Sequence, residues 1–266
     1  MKIEPLEKKD IPHLLKLQPE GWSDIIPSIQ YYLDHSFCLP IKICLDQDII
    51  GIGAGILFKK TAWLAHIIVD TEFRGQGIGQ KIVLALLDLL KKRNCESISL
   101  IATALGYPVY KKLEFIEQTD YIFFERKMPF KPQARSEHIF SYTREQMKEI
   151  LFLDQQISGE DRSNVLMDRL KNSHVYQKNG KVTGCYLPDL DEGMIIANEI
   201  KAGIELMKIK YAVKEKAILP FENTAGIHFL EENGFIETLR AKRMVWGRQF
   251  LWHPDKLYSR ISGRLG

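Results

Sequence analysis

The stretch from Ala65 to Asn94, AHIIVDTEFRGQGIGQKIVLALLDLLKKRN, constrains this chain more than any other. It opens on His66-Ile67-Ile68-Val69, a short apolar run rich in β-branched residues that reads as a buried strand. Asp70 to Phe73 is a polar turn. Arg74-Gly75-Gln76-Gly77-Ile78-Gly79 follows, and then a predicted helix with Ile78, Ile82, Ala85, Leu86 and Leu89 on one face. The glycines therefore stand where a strand hands over to a helix. Glycine lets backbone approach a ligand closely. The first helical turn adds unpaired N–H groups and partial positive charge. Together these predict a phosphate cradle, read here as holding a pyrophosphate.

Spacing narrows the kind of pyrophosphate. A dinucleotide fingerprint needs glycine at its first, third and sixth positions. Counting from Gly75 the sixth residue is Gln80, and from Gly51 it is Ile56. A P-loop would end in Gly-Lys-Ser/Thr, but Gln80 follows Gly79. The pattern that fits is Arg-x-x-Gly-x-Gly, on Arg74, Gly77 and Gly79. With the string IIVDTEFRGQGIGQKIV around it, this resembles the acetyl-CoA-binding segment of the GNAT superfamily of N-acetyltransferases. A glycine-rich turn that binds nothing is the plain alternative.

At 266 residues the chain is long for one compact core and predicts two domains. A formal charge of +3 is small for this size and gives no reason to expect a nucleic-acid partner. Cys38, Cys44, Cys95 and Cys185 show no C-x-x-C pairing and read as reduced thiols of a cytoplasmic protein. The charged start MKIEPLEKKD is unlike a signal peptide, and no apolar run reaches membrane-spanning length, so no membrane partner is expected. The seven histidines are scattered without H-x-x-x-H, and no metal is expected.

Taken in order, Lys2–Leu6 is an edge strand limited by Pro5. Asp10 caps a helix with Pro12 in its first turn. Pro19-Glu20-Gly21-Trp22 breaks that helix. Ser23 or Asp24 caps a second, with Ile25, Ile29, Tyr32 and Leu33 on its buried side. Ile41–Leu45 and Ile49–Phe58 form an antiparallel pair. Gly51, Gly53 and Gly55 alternate along the second of these strands, so a helix or a ligand lies close to that face. After Trp63–Val69 and the glycine loop come a strand at Ser97–Ala102, a short helix at Thr103–Leu113, and Phe115-Ile116 and Tyr121–Glu125 closing the sheet. This order resembles the GNAT fold over residues 1–128. Pro129 and Pro132, with two lysines and an arginine nearby, mark a linker over 129–137. A second domain covers 138–266, where Thr143-Arg144-Glu145-Gln146 is a capping box.

The halves resemble each other at a constant offset. Phe115-Ile116-Glu117 matches Phe235-Ile236-Glu237, 120 positions later. The same offset carries the strand at Ile98 to Ile218 and the helix near Gly77 to Ala197. Segments DRSNVL and NTAGIHFLEENGF with Arg243-Met244 resemble the C-terminal domain of tandem GNAT proteins. At that offset Arg74, Gly75, Gly77 and Gly79 become Met194, Ile195, Ala197 and Glu199. The expected class is thus α/β (α+β): two tandem GNAT-like domains, each a mixed, mostly antiparallel twisted sheet flanked by helices, the second without a phosphate loop. That second domain serves as a scaffold, a homodimer surface or part of the acceptor pocket. Asp161-Arg162 within it reads as a functional ion pair or as a structural salt bridge.

The resemblance implies the chemistry. The cofactor is acetyl-CoA, as cosubstrate, and the partner is a small-molecule amine acceptor. The pantetheine arm lies along the backbone of Ile67 and Val69, with the Val69 N–H polarising the thioester carbonyl. Arg74, Gly75, Gln76, Gly77, Ile78 and Gly79 hold the diphosphate. Thr103 stands where the family usually has Asn, and Tyr107 lies in the same cofactor-binding turn. Tyr110, four residues before Glu114-Phe115, is the general acid for the leaving thiolate; the family's usual Gly is Glu114 here, which puts the helix end in question. A packing aromatic is the other reading of Tyr110. The base is His66, Asp70 or a water chain. Trp22 faces the acceptor or packs between helices. A non-catalytic acyl-CoA-binding or regulatory protein is the alternative to an N-acetyltransferase.

Overall fold

The computed structural model describes residues 1–130 and 133–266; Lys131 and Pro132, within the expected linker, lie outside the described residues. In chain order the elements are β1 (Lys2–Pro5), a 3-10 segment (Lys8–Leu17), α1 (Ile26–Asp34), β2 (Cys38–Leu45), β3 (Asp48–Phe58), β4 (Thr61–Val69), α2 (Ile78–Lys91), β5 (Ser97–Ala102), α3 (Tyr107–Lys112) and β6 (Ile116–Arg126). Then come β7 (Ile139–Ser141), α4 (Met147–Ser158), α5 (Ser163–Leu166), β8 (His174–Lys178), β9 (Lys181–Leu187), β10 (Met194–Ala197), α6 (Ile200–Tyr211), β11 (Lys216–Pro220), α7 (Thr224–Glu232), β12 (Phe235–Gly247) and β13 (Leu257–Ser259). The strands form two sheets, ordered β1-β2-β3-β4-β5-β12-β6-β11 and β13-β10-β9-β8-β7. The first is mixed, since β4 and β5 run parallel, and the second is antiparallel. The fold is α+β.

Contacts divide the chain into two compact units: Met1–Ile116 with Met244–Gln249 and Leu265, and Glu117–Arg243 with Phe250–Arg264 and Gly266. The sequence leads to the expectation that β6 closes the first half's sheet. Instead nearly all of β6 belongs to the second unit, where it pairs with β11 in the register Phe123↔Ile218. The end of β12 belongs to the first unit, where the Arg248 N–H donates to Glu96 O at 2.8 Å. Burial gives the reason. Ile122 and Phe124 on β6 pack with Leu219, Leu230 and Phe235, whereas Met244 packs with Ile98 and Leu100.

In the first unit α2 covers β3. A Cβ on Gly53 would come within 2.6 Å of Ile82 and 2.8 Å of Ile67, and one on Gly55 within 3.2 Å of Leu90. The bare face of β3 therefore admits a helix. The buried face of α2 runs through Ile78, Ile82, Val83, Leu86, Leu87 and Leu90, while Leu89, expected inside, is 38% exposed. The 3.6-residue period through Ile82, Leu86 and Leu90 turns Leu89 outward.

The structure bears on three other local expectations and overturns the first. Asp10 is not the N-cap of the first helix. Glu7 holds that place, and Asp10 accepts from the Glu7 N–H (2.8 Å) and from buried Lys42 Nζ (2.7 Å), a cation that needs a carboxylate once removed from water. The capping box at Thr143–Gln146 is present, with Gln146 Oε1 accepting from the Thr143 N–H at 2.7 Å, but it opens a 3-10 turn leading into α4. Asp161 and Arg162 each have a further partner of their own. Arg162 turns to Asp154 in α4 at 3.2 and 2.5 Å, and Asp161 accepts from the Ser163 hydroxyl at 2.7 Å.

Candidate active site

The site grows from β4. Its ladder with β5 has three pairs, Thr61↔Ser97, Ala62↔Ile98 and Trp63↔Ser99, and ends there, although β4 runs on to Val69 and β5 to Ala102. On its other edge β4 pairs with β3 in a bulged register. Ile52 faces Ile68 and Ala54 faces Ala65, so Gly53 stands opposite both His66 and Ile67. His66 takes up the extra residue at φ 49°.

The register determines where the Val69 amide points. Val69 pairs with Gly51, and the Asp70 N–H donates to Ile50 O at 3.0 Å. Val69 and Gly51 are thus a non-hydrogen-bonded pair, and the Val69 N–H is directed away from β3. Ile67, two residues back, presents its backbone on the same edge. The Val69 carbonyl accepts from Arg74 Nε at 3.2 Å, which ties the glycine turn to the strand end.

Asp70 to Gly77 make the connection to α2. Asp70 caps a short turn at Thr71–Phe73 by accepting from the Glu72 N–H at 3.2 Å, and its other oxygen lies 4.0 Å from Lys16 Nζ. Gly75 and Gly77 both sit at φ 76°, the left-handed region, and a Cβ on either would meet nothing within 4 Å. Glycine is required here by the backbone angle. Gly77 is the N-cap of α2 and caps with no side chain, and the first turn, from Ile78 and Gly79, holds no acid. Arg74 and Gln76 are exposed beside it. This donor set suits a diphosphate: open space over the glycines, amides without a side-chain cap and an arginine nearby.

Thr103 and Tyr107 lie in the turn into α3. Thr103 Oγ1 accepts from the Gly106 N–H at 3.2 Å, and its carbonyl from the Tyr107 N–H at 2.9 Å. Tyr110 is buried in the core that also holds Ile78, Ala102 and Phe115, its ring edge-on to Phe115 at 5.6 Å. Burial pushes its phenol up to about 12, so it carries its proton at neutral pH. The doubtful helix end is intact. Glu114 adopts φ 63°, the Phe115 N–H donates to Tyr110 O at 3.0 Å and the Glu114 N–H to Lys111 O at 3.1 Å, a Schellman closure without glycine.

Trp22, in the loop after the 3-10 segment, meets His66 of β4. Gln18 bridges the loop holding Trp22, donating to the Trp22 and Ser23 carbonyls at 3.2 Å and accepting from the Ile25 N–H at 3.1 Å. Trp22 is 46% exposed and meets His66 edge-on at 6.1 Å. His66 Nδ1 is 2.8 Å from the Tyr32 hydroxyl. The sequence shows Tyr32 only as an apolar position of α1. Its hydroxyl was the available signal, because a buried phenol needs a hydrogen-bond partner. The open β4 edge and the bulge left no trace in composition or period.

The parallel pair stops short, and a helix without a side-chain cap follows a glycine turn at the open end. Residues 8–115 match the acetyltransferase (GNAT) family. Members of the family typically use acyl-CoA donors. The chain is 25% identical over 236 residues to the uncharacterized N-acetyltransferase YitH of Bacillus subtilis (strain 168), covering 82% of each protein. In fold it is similar along its whole length to the crystal structure of a proposed acetyltransferase from Pyrococcus horikoshii (TM-score 0.83, 18% identity, 95% of that chain covered). It is also similar to a GCN5-related N-acetyltransferase from Sphaerobacter thermophilus (TM-score 0.65, 12% identity, 94% of this chain and 97% of that one). Among the described residues no group of three or more His, Cys, Asp or Glu could hold a metal ion, and no helix is long and apolar enough to cross a membrane.

Proposed function

We propose that the protein moves an acetyl group from acetyl-CoA to a small-molecule primary amine by direct attack in a ternary complex, with one cofactor site per chain. The observation that carries this reading is the Val69 amide. It points off the open edge of β4, one loop away from an N-terminal helical turn suited to a diphosphate. Acetyl-CoA supplies the acyl group as a thioester. Arg74 to Gly79 would hold its diphosphate, the Ile67 and Val69 backbone its arm, and Thr103 and Tyr107 the neighbouring turn.

An amide aimed at a developing oxyanion contributes about 3 kcal/mol. Tyr110 is the donor to the departing sulfur. Its phenol, near 12, stays protonated, and full transfer to a thiolate of ordinary pKa, about 8.5, is uphill. Its part is therefore a hydrogen bond that stabilises the sulfur as it leaves. His66 takes the proton from the acceptor ammonium. Asp70 is the less available group, because its oxygens already serve the Glu72 amide and Lys16. Trp22, half exposed beside His66, forms the acceptor wall.

Release of free CoA thiol from acetyl-CoA, followed across a panel of small amines, tests the reading. At least one amine is expected to accelerate release in proportion to acetylamine formed. Tight acetyl-CoA binding with no acceleration by any amine or peptide would instead identify an acyl-CoA-binding module.

A further inference from the structure

The second unit keeps the strand-end pattern of the first and covers it with its own chain. In the first unit Val69 pairs with Gly51, and the Asp70 N–H donates to Ile50 O at 3.0 Å. In the second, Ala197 pairs with Gly184, and the Asn198 N–H donates to Thr183 O at 2.8 Å. The two patterns coincide residue for residue, so Ala197 corresponds to Val69 and Ile195 to Ile67. Their backbone is therefore directed away from β9, as that of Val69 and Ile67 is directed away from β3. β13 takes this outer edge of β10, antiparallel, with Ile195 opposite Ser259 and Ile196 opposite Leu257. The register slips there by one residue, and Tyr258 is the extra one. Its ring lies over Gly203 of α6, where a Cβ would collide with it, and packs with Ala202, Leu206 and Tyr211. Buried Lys210 donates to Ser259 Oγ at 2.5 Å and to Gly193 O at 2.8 Å. At the head of α7, Asn223 Nδ2 donates to the Leu257 carbonyl at 2.9 Å. Asn223 stands 120 positions after Thr103, at the offset that relates the two halves.

We propose that β13 is a built-in occupant of the second unit's cofactor slot, a length of this chain standing on β10 where the pantetheine arm of acetyl-CoA lies on β4. This rests on the acetyl-transfer reading above, which puts that arm on Ile67 and Val69. The physical reason is the strand edge. Amides and carbonyls along an open edge need partners. In the first unit a cosubstrate supplies them when it binds, anchored by its diphosphate. In the second, Asn198 and Glu199 alone join β10 to α6, and there is no glycine loop to anchor a diphosphate. A tethered strand supplies the partners at all times. An extended segment added to a sheet edge binds through main-chain hydrogen bonds, with pockets for alternate side chains, and Tyr258 over Gly203 fills such a pocket. Because the segment is linked to β12, it is always present at high effective concentration. The chain then takes up one acetyl-CoA, and its C-terminal segment is part of the second unit's fold.

Amide hydrogen exchange, read residue by residue on the full-length protein with and without acetyl-CoA, tests the assignment. Without cofactor, the Ile195 amide is expected to exchange slowly and the Val69 amide fast. Acetyl-CoA is expected to slow Val69 on the order of tenfold and to leave Ile195 and Leu257 to Ser259 unchanged. Tyr258→Ala, which empties the space over Gly203, should speed exchange at Ile195 on the order of a hundredfold, with the Kd of acetyl-CoA unchanged. Fast exchange at Ile195 in the cofactor-free wild type overturns the proposal. So does a change at Ile195 or Tyr258 on adding acetyl-CoA, or a folded Tyr258→Ala with wild-type exchange at Ile195. If Tyr258→Ala does not fold, the wild-type comparison alone decides. Acetyl-CoA that leaves Val69 unprotected while Ile195 stays slow overturns the placement of the arm on β4, and the stand-in with it.

Discussion

The two halves use one plan at the strand-to-helix crossing and differ in what lies between. In the first, eight residues, Asp70 to Gly77, separate β4 from α2; in the second, Asn198 and Glu199 alone separate β10 from α6. The constant offset suggests a substitution of the glycines. The structure shows that the positions matched to Arg74–Gly77 are strand β10 itself, so the second half has lost the loop, not merely its glycines. Glu199 stands at the N-cap of α6, its carboxylate paired with Lys178 at 3.0 Å. Beyond the crossing the halves agree closely. Tyr110 corresponds to Leu230, both buried, and Glu114 to Gly234, both left-handed at φ 63° and 78°. Thr103 has its counterpart nearby in Asn223, whose side chain accepts from the Gly226 N–H at 2.8 Å. The second half thus keeps the packing positions of the first without its glycine loop or its phenol.

The strongest way to break this contrast is Tyr110→Phe, which removes the hydroxyl that Leu230 lacks. Turnover is expected to fall about 10²–10³-fold, as for loss of one donor to a developing charge, with acetyl-CoA affinity by calorimetry nearly intact; equal turnover would make Tyr110 a packing residue. Next is Gly77→Glu, which puts a carboxylate at the N-cap as Glu199 does in α6. Repulsion from a diphosphate at about 4–8 Å with an effective dielectric near 20 amounts to about 2–4 kcal/mol, roughly 30- to 700-fold in Kd. The wild-type titration should show one nucleotide per chain. Two would mean that α6 binds without a loop.

A third comparison uses the glycines that let each helix settle on its sheet. A Cβ on Gly53 would fall 2.6 Å from Ile82, whereas one on Gly184 in β9 would lie 3.0 Å from Ala197 and 3.1 Å from Leu206. Gly53→Ala is expected to cost about 1–3 kcal/mol and Gly184→Ala less, measured by urea unfolding. The smallest effect is Glu114→Gly, which restores the residue kept at Gly234. Relief of the left-handed angle should raise stability by about 1 kcal/mol, with turnover unchanged.

Much of the site was legible in the chain because it is local. A β-branched run, two left-handed glycines and an apolar period occupy fewer than thirty consecutive residues, and their geometry follows from steric rules and helix-end amides. For the same reason the offset of 120 correctly placed β11, α7 and β12. Less legible were Asp10, drawn from its expected cap by Lys42, and Leu89, turned outward by a slight difference in the helix face.

What the sequence by itself determined is the order of strands and helices and the glycine turn between β4 and α2. Only the tertiary structure decided that β6 and the end of β12 exchange units, that the Val69 amide faces an open edge, and that His66 Nδ1 meets the hydroxyl of Tyr32, 34 positions away. The physical reason is range. A turn or a cap is set by neighbours within a few residues. Strand register and the partner of a buried hydroxyl depend on how segments far apart in the chain bury their surface together, and no single stretch carries that balance.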